Sequence, residues 1–213
     1  MRLAVLISGR GTNLQALIDA CAQPGFPASI ALVVSNRSDA PGLARARAAG
    51  LASRLISHRQ HASRESFERA LDEAVRAVGA ELVCLAGFMR VLGPWFVGHW
   101  RDRLINIHPS LLPAFPGLEA QARALAAGVR LTGCTVHFVR EAVDDGPIIV
   151  QAAVPVLPGD DTQSLTARIL DAEHRCYPLA VRLIAEGRVR VEGERTVIEA
   201  APGGGMLMNP SLP

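Results

Sequence analysis

Leu3-Ala4-Val5-Leu6-Ile7-Ser8-Gly9-Arg10-Gly11-Thr12-Asn13-Leu14 decides the fold class. Five apolar residues in a row are the length of a buried strand. Two glycines then break the run, and a helical pattern continues from about Asn13 to Cys21. A strand feeding a helix through a glycine turn is the opening unit of a parallel α/β sheet.

The cadence repeats outward from there. Ile30–Val34 reads as a second strand, Pro41 to Gly50 as a helix closed by a glycine, and Ser53–Ile56 as a weaker third strand. Ser63 precedes a long amphipathic helix with Phe67, Leu71, Val75 and Val78 at helical spacing. Leu82–Leu85 and Arg103–Ile107 read as a fourth and fifth strand. Cys134–Val139 and Pro147–Val156 flank the polar turn Asp144-Asp145-Gly146, which predicts a hairpin and turns the sheet mixed. A helix over Gln163 to Glu186 follows, with short strands at Val189–Glu192 and Thr196–Ile198. The expected architecture is α/β: a doubly wound, mostly parallel sheet with a mixed C-terminal part. It forms one catalytic domain over residues 1–199, and the Gly/Pro-rich stretch 200–213 is expected to be a disordered tail.

Composition agrees with a large aliphatic core. The 213 residues are 49% hydrophobic but only 4% aromatic, so Leu, Val, Ile and Ala must fill the interior. Net charge is +2, all 22 basic residues are Arg, and they are scattered among acids, so no nucleic-acid face is expected. The lack of Lys excludes a Schiff-base or P-loop lysine. The cysteines at 21, 84, 134 and 176 show no CxxC pairing, and Cys84 reads as a buried small hydrophobe. No run approaches the roughly 18 apolar residues of a membrane span, and the N-terminus lacks the features of a secretory signal. A cytoplasmic protein is expected, as a monomer or homodimer.

Gly9-Arg10-Gly11-Thr12-Asn13 sits where helix amides point outward, which suits a phosphate. The same residues also suit a tight βα turn with Thr12 or Asn13 as N-cap. A dinucleotide is excluded, because Leu14 occupies the third glycine position of GxGxxG and no acid ends the second strand. Asn106 and His108 share one face of the fifth strand at its carboxyl end, where open α/β sheets bind ligands. Asn can hold an oxyanion, and His can donate or relay a proton. Asp144 at the hairpin tip could orient that imidazole, with Asp145 serving the turn itself. Spacing alone does not bring Asp144 to His108. His137 reads as support behind the site or as a buried structural histidine, and no metal is expected because the candidate ligands lie on separate elements.

Four segments, in order, resemble the phosphoribosylglycinamide formyltransferases, folate-dependent enzymes of purine synthesis. They are Ser8-Gly9-Arg10-Gly11-Thr12-Asn13-Leu14-Gln15, Leu85-Ala86-Gly87-Phe88-Met89-Arg90, Asn106-Ile107-His108-Pro109-Ser110-Leu111-Leu112-Pro113, and Gly133-Cys134-Thr135-Val136-His137-Phe138-Val139 running on to Asp144-Asp145-Gly146-Pro147. The resemblance spans Leu3 to Ile198 and implies a formyltransferase-like variant of the Rossmann sheet. It implies that Gly11, Thr12 and Asn13 bind the phosphate of glycinamide ribonucleotide and that Glu173 binds its ribose. It implies that Met89, Arg90, Val91 and Leu92, together with Arg140, Glu141, Ala142, Val143 and Asp144, surround the pterin of 10-formyltetrahydrofolate, the formyl donor, with Asn106 beside them and Arg64 also in contact. Asn106, His108 and Asp144 match the catalytic trio. Met89, Val91, Leu92 and Val143 are the expected lining of an apolar slot for the flat heterocycle.

Glu119 and Gln121 stand where the family usually carries histidines, and Leu170 offers no polar group to the phosphate region. The rivals are a formyltetrahydrofolate hydrolase, which carries an added N-terminal domain, a methionyl-tRNA formyltransferase, which carries a C-terminal one, and a catalytically silent folate- or phosphate-binding module.

Overall fold

The computed structural model describes residues 1–199; the expected tail at 200–213 lies outside them. Strand β1 (Arg2–Ile7) leads into helix α1 (Thr12–Cys21), and β2 (Ser29–Ser35) into α2 (Gly42–Ala48). Then come β3 (Ser53–Leu55), a 3₁₀ turn at His58–Gln60, α3 (Arg64–Ala77), β4 (Leu82–Leu85), α4 (Pro94–His99) and β5 (Leu104–His108). The chain continues through α5 (Ala120–Ala126), β6 (Leu131–Phe138), β7 (Ile148–Pro155), α6 (Thr162–Ala185), β8 (Val189–Glu192) and β9 (Arg195–Ile198). Among the described residues, no helix is long and apolar enough to cross a membrane.

Seven strands form one sheet in the order β3-β2-β1-β4-β5-β6-β7, and β8 and β9 pair separately. Pairing is parallel from β3 through β5 and antiparallel from β5 through β7. Strand order reverses between β1 and β4, so the loops that leave these two strands splay apart and open a crevice at their carboxyl ends.

Alternation along β1 explains the layers. Leu3, Val5 and Ile7 face α1 and α6 beside Leu14, Leu17, Ile169 and Tyr177, while Ala4 and Leu6 face α3 and α4 beside Leu71, Val75 and Phe96. Both faces are buried, which is why the strand reads as an unbroken apolar run. Cys84 is fully buried. Helix α6 is tied across the sheet by the Tyr177 hydroxyl, which donates to the Leu85 carbonyl at 2.9 Å. It begins at a capping box, where Asp161 accepts from the Ser164 amide at 2.7 Å and Ser164 Oγ accepts from the Asp161 amide at 3.0 Å.

Two local expectations are corrected, and two short helices are added. Strand β6 begins at Leu131 rather than Cys134, because Gly133 lies inside the ladder instead of ending it. A Cβ there would stand 1.8 Å from the Ala152 carbonyl oxygen, so the glycine permits close backbone approach. Helix α1 is capped by Gly11 in the left-handed region (φ 71°), with no side-chain cap from Thr12 or Asn13. Helices α4 and α5, six and seven residues long, carry too few turns to show a periodicity in the sequence.

Candidate active site

The first loop is built by glycine contacts. A Cβ on Gly11 would lie 2.7 Å from Gly42 Cα, and the Gly42 amide donates to the Gly9 carbonyl at 3.0 Å. The turn therefore packs directly on the start of α2, leaving the first amides of α1 facing out. Behind it, the Asn13 amide group donates to Glu173 Oε2 at 2.7 Å, and both residues are buried. Asn13 Oδ1 has no partner among the described residues, so an acceptor is left for a ligand group. Burial pushes the Glu173 carboxyl above the usual range, opposed by the Asn13 hydrogen bond and by the charge of Arg10. Leu170 is half-buried on α6.

Ser8 couples this loop to the next one. Its hydroxyl donates to Asn36 Oδ1 at 2.6 Å and accepts from the Met89 amide at 2.8 Å, while its own amide donates to the Gly87 carbonyl at 3.1 Å. The segment after β4 is thus fixed against the end of β1. Its other end is held by Glu68, a carboxylate only 2% exposed, which accepts from the Gly93 amide at 2.6 Å. Arg64 lies 3.8 Å from that carboxylate with its guanidinium against Gly93, which places it beside the 89–93 segment. Met89, Val91 and Val143 are 68%, 59% and 55% exposed, an unusual display for large apolar side chains at a crevice. Leu92 departs from its expected place in the slot. At 6% exposure it packs in the core layer of α3 and α4. Arg90 is exposed and Arg140 is buried elsewhere, as described below.

Asn106, His108 and Asp144 come together at the end of β5. His108 Nδ1 lies 3.2 Å from Asp144 Oδ2, and Asn106 Nδ2 lies 3.5 Å from Asp144 Oδ1. Asp144 is held there by the Gly117 amide, which donates to Oδ2 at 2.7 Å, and Asp145 serves the turn by accepting from the Gly146 amide at 2.9 Å. Asn106 stands opposite His137 across the antiparallel ladder, and its amide nitrogen is 3.3 Å from His137 Nε2. Burial lowers the His137 pKa, which favours a neutral ring. Nδ1 then donates to the Phe138 carbonyl at 3.0 Å, leaving Nε2 to accept from Asn106. This fixes the amide with one N–H spent on His137 and the other held only by the long contact to Asp144.

His108 Nε2 is 2.9 Å from the Phe115 carbonyl. Its two ring nitrogens therefore both face acceptors, and a doubly protonated ring donates to both. The segment that brings Phe115 and Gly117 here is anchored by buried Thr135. That hydroxyl donates to the Ser110 carbonyl at 2.7 Å and accepts from the Leu112 amide at 3.0 Å. Nothing in the sequence points to the Phe115 carbonyl or the Gly117 amide, because backbone groups carry no residue signature. Ser8 and Asn36 were findable, since both are polar residues that close apolar strands. Glu119 is exposed at φ 56° before α5, and Gln121 is half-buried on that helix.

Fold and site together define an α/β group-transfer enzyme. The chain belongs to the formyl transferase family, whose model matches residues 1–181, and within it to the phosphoribosylglycinamide formyltransferases. It is 46% identical over 191 residues to the phosphoribosylglycinamide formyltransferase of Escherichia coli K12, covering 90% of each chain. The trifunctional purine biosynthetic protein adenosine-3 of Drosophila pseudoobscura pseudoobscura is 56% identical over 191 residues; 89% of this chain is covered, but only 14% of that longer protein. The crystal structure of glycinamide ribonucleotide transformylase 1 from Symbiobacterium toebii superposes with a TM-score of 0.91 at 54% identity, covering 93% of each chain.

Proposed function

We propose that the protein transfers the formyl group of 10-formyltetrahydrofolate to the amine of glycinamide ribonucleotide in the cytoplasm, giving formylglycinamide ribonucleotide and tetrahydrofolate. The observation that carries this reading is the seating of Asp144 between Asn106 and His108, with the glycine turn at the start of α1 on one side and exposed apolar side chains on the other. The Gly11, Thr12 and Asn13 amides receive the phosphate, and Glu173 with the unpartnered Asn13 Oδ1 receives the sugar hydroxyls. Met89, Val91 and Val143 cover the pterin faces. Backbone groups of 89–92 and 140–144 meet its edge, and Arg64 meets the donor at the rim.

The folate supplies the formyl carbon. As the amine lone pair forms the new C–N bond, negative charge collects on the formyl oxygen. Asn106 Nδ2 gives up its 3.5 Å contact to Asp144 and donates to that oxygen, and the His108 Nε2–H leaves the Phe115 carbonyl to do the same. A positioned donor of this kind contributes on the order of 10²–10³ in rate. Asp144 keeps His108 oriented and, through water, takes the proton released by the amine. The oxyanion then re-forms the carbonyl as the bond to the folate nitrogen breaks, and that nitrogen's electron pair takes up the proton held by Asp144, again through water. Proton transfer contributes about 10²–10⁴ more.

The test is folate turnover with and without the ribonucleotide. Turnover only in its presence is the expected result. Turnover in its absence would replace transfer by hydrolysis, and folate binding with no turnover would leave a silent module.

A further inference from the structure

Behind the loop that carries Asp144 lies a charged cluster that the reaction does not use. Arg140 is 9% exposed, yet its guanidinium turns to Asp102 and Glu194 and makes no contact with Asn106, His108 or Asp144. Its Nε donates to Glu194 Oε2 at 2.7 Å, Nη2 to Asp102 Oδ1 at 2.8 Å, and Nη1 to the Val139 carbonyl at 3.2 Å. Arg101 Nη2 donates to the other Glu194 oxygen at 2.6 Å. Three separate segments meet here: the turn before β5, the β6–β7 loop and the turn of the β8–β9 hairpin.

Exposed ion pairs contribute little, and Glu194 and Asp102 alone would be ordinary surface acids. Arg140 changes that, because a buried cation that loses one carboxylate leans on the other alone, and one that loses both keeps an uncompensated charge. Its two guanidinium neighbours, Arg140 first and Arg101 second, hold the Glu194 carboxyl below the usual range. The stem of Arg140 also packs against the far end of the same loop. A Cβ on Gly146 would stand 2.9 Å from Arg140 Cγ and 2.2 Å from the Phe138 carbonyl oxygen, so the two ends of the loop close directly on each other. Between them Asp144 sits at φ 51°, a conformation that a non-glycine residue keeps only when its surroundings dictate it.

We infer that Arg140 is a positioning residue for Asp144, set in place by Asp102 and by Glu194 of the β8–β9 hairpin. The hairpin lies beyond residue 181, where the family match ends. It thus helps to set the geometry of a site to which it contributes no reacting group. It has its own attachment, since the Thr196 hydroxyl donates to the Ile148 carbonyl. Loss of Glu194 therefore loosens the loop, still held by Asp102 and the Gly117 amide, without detaching the hairpin.

This inference rests on the formyl-transfer reading, and wild-type turnover tests that reading by itself. The variant-to-wild-type ratio tests the inference. Glu194→Ala, Asp102→Ala and the double variant are made in the full chain, with melting checked for each. A misplacement on the order of an ångström costs up to about 10²-fold. Each single variant should then lose about three- to tenfold in kcat, and the double variant about 10²-fold, with the folate KM rising alongside. The ribonucleotide KM should stay within about twofold, because its groups lie on the β1 loop and α6. Glu194→Gln, which keeps an acceptor for Arg140, should recover most of the loss. Wild-type kcat and folate KM in the double variant would overturn the inference. So would a kcat loss that only follows the folded fraction with both KM values unchanged, since that is what a merely structural tie would produce.

Discussion

The two loops that frame the site solve the same problem in opposite ways. Both enter the left-handed region, the first at Gly11 (φ 71°) and the second at Asp144 (φ 51°). The first loop offers backbone amides, so it places a glycine at the strained position and packs it flat on Gly42. The second offers a side chain, so the strained residue cannot be glycine. Its conformation is imposed from outside, by the Gly117 amide, His108 and the Arg140 cluster. A loop that binds with its backbone is self-sufficient, whereas a loop that works with a side chain borrows its geometry from distant segments.

The largest effect expected from this contrast is in the second loop. His108→Ala should lower kcat by about 10³-fold, near the middle of the range for acid–base groups, with the ribonucleotide KM little changed. Steady-state rates with both substrates saturating measure it. A variant within tenfold of wild type would remove His108 from the chemistry.

Leu92 and Met89 sharpen the comparison on one short segment. Leu92→Ala empties a core site and should cost about 2–4 kcal/mol of stability while leaving the folate KM of the folded enzyme nearly unchanged. Met89→Ala removes a side chain that is 68% exposed, so stability should move by less than about 0.5 kcal/mol. If the folate covers that side chain, the lost burial is about 1–2 kcal/mol, or roughly a tenfold rise in folate KM. Denaturant melts and folate titration of the pair separate core from slot. An unchanged folate KM in Met89→Ala would take the residue out of the slot.

These neighbours also show what sequence can reveal. An apolar residue near a strand end reads the same whether it faces the core or a ligand, so Leu92 and Met89 were indistinguishable before folding. Strands β1 and β4 were legible because both their faces are buried, leaving unbroken apolar runs. Asn106 and His108 were legible as a pair because a two-residue period puts them on one face. Their meeting with Asp144 was not, because it depends on a register across β6 and on a loop held by residues 102, 117 and 194. Such contacts are set by packing between remote segments and leave no local pattern.

Gly11→Ala tests the self-sufficient loop. A left-handed alanine costs about 1–2 kcal/mol, and its Cβ would press on Gly42 Cα. The expected result is a lower melting temperature and about a tenfold rise in ribonucleotide KM, with the folate KM within about twofold. Equal rises in both KM values would mean that the Ser8 link to Met89 transmits the disturbance, and that the two loops are not independent.

The smallest effect lies in the support beneath the first loop, and pH reveals it. Burial raises the Glu173 carboxyl above its value in the unfolded chain, so the folded protein binds that proton more tightly. Its contribution to stability is fully present below the unfolded carboxylate pKa and is lost as pH rises through the raised folded value. Glu173→Gln removes this titration while keeping an acceptor for Asn13. Its melting temperature should therefore change less across that window than that of wild type, and the variant should gain on wild type at the alkaline side. Asp160, just before the N-terminus of the same helix, supplies the opposite sign. The Arg168 guanidinium at 2.7 Å, aided by the Leu157 amide, holds its carboxyl well below the usual range. Stability from that pair is present above the unfolded pKa and is lost as pH falls through the depressed folded value, so Asp160→Asn should flatten the acid limb alone. Melting curves of the two variants against pH should thus diverge from wild type on opposite sides. A Glu173→Gln curve that runs parallel to wild type would mean that the carboxylate is already ionised and satisfied, and that the first loop needs no help from the ribose to bury it.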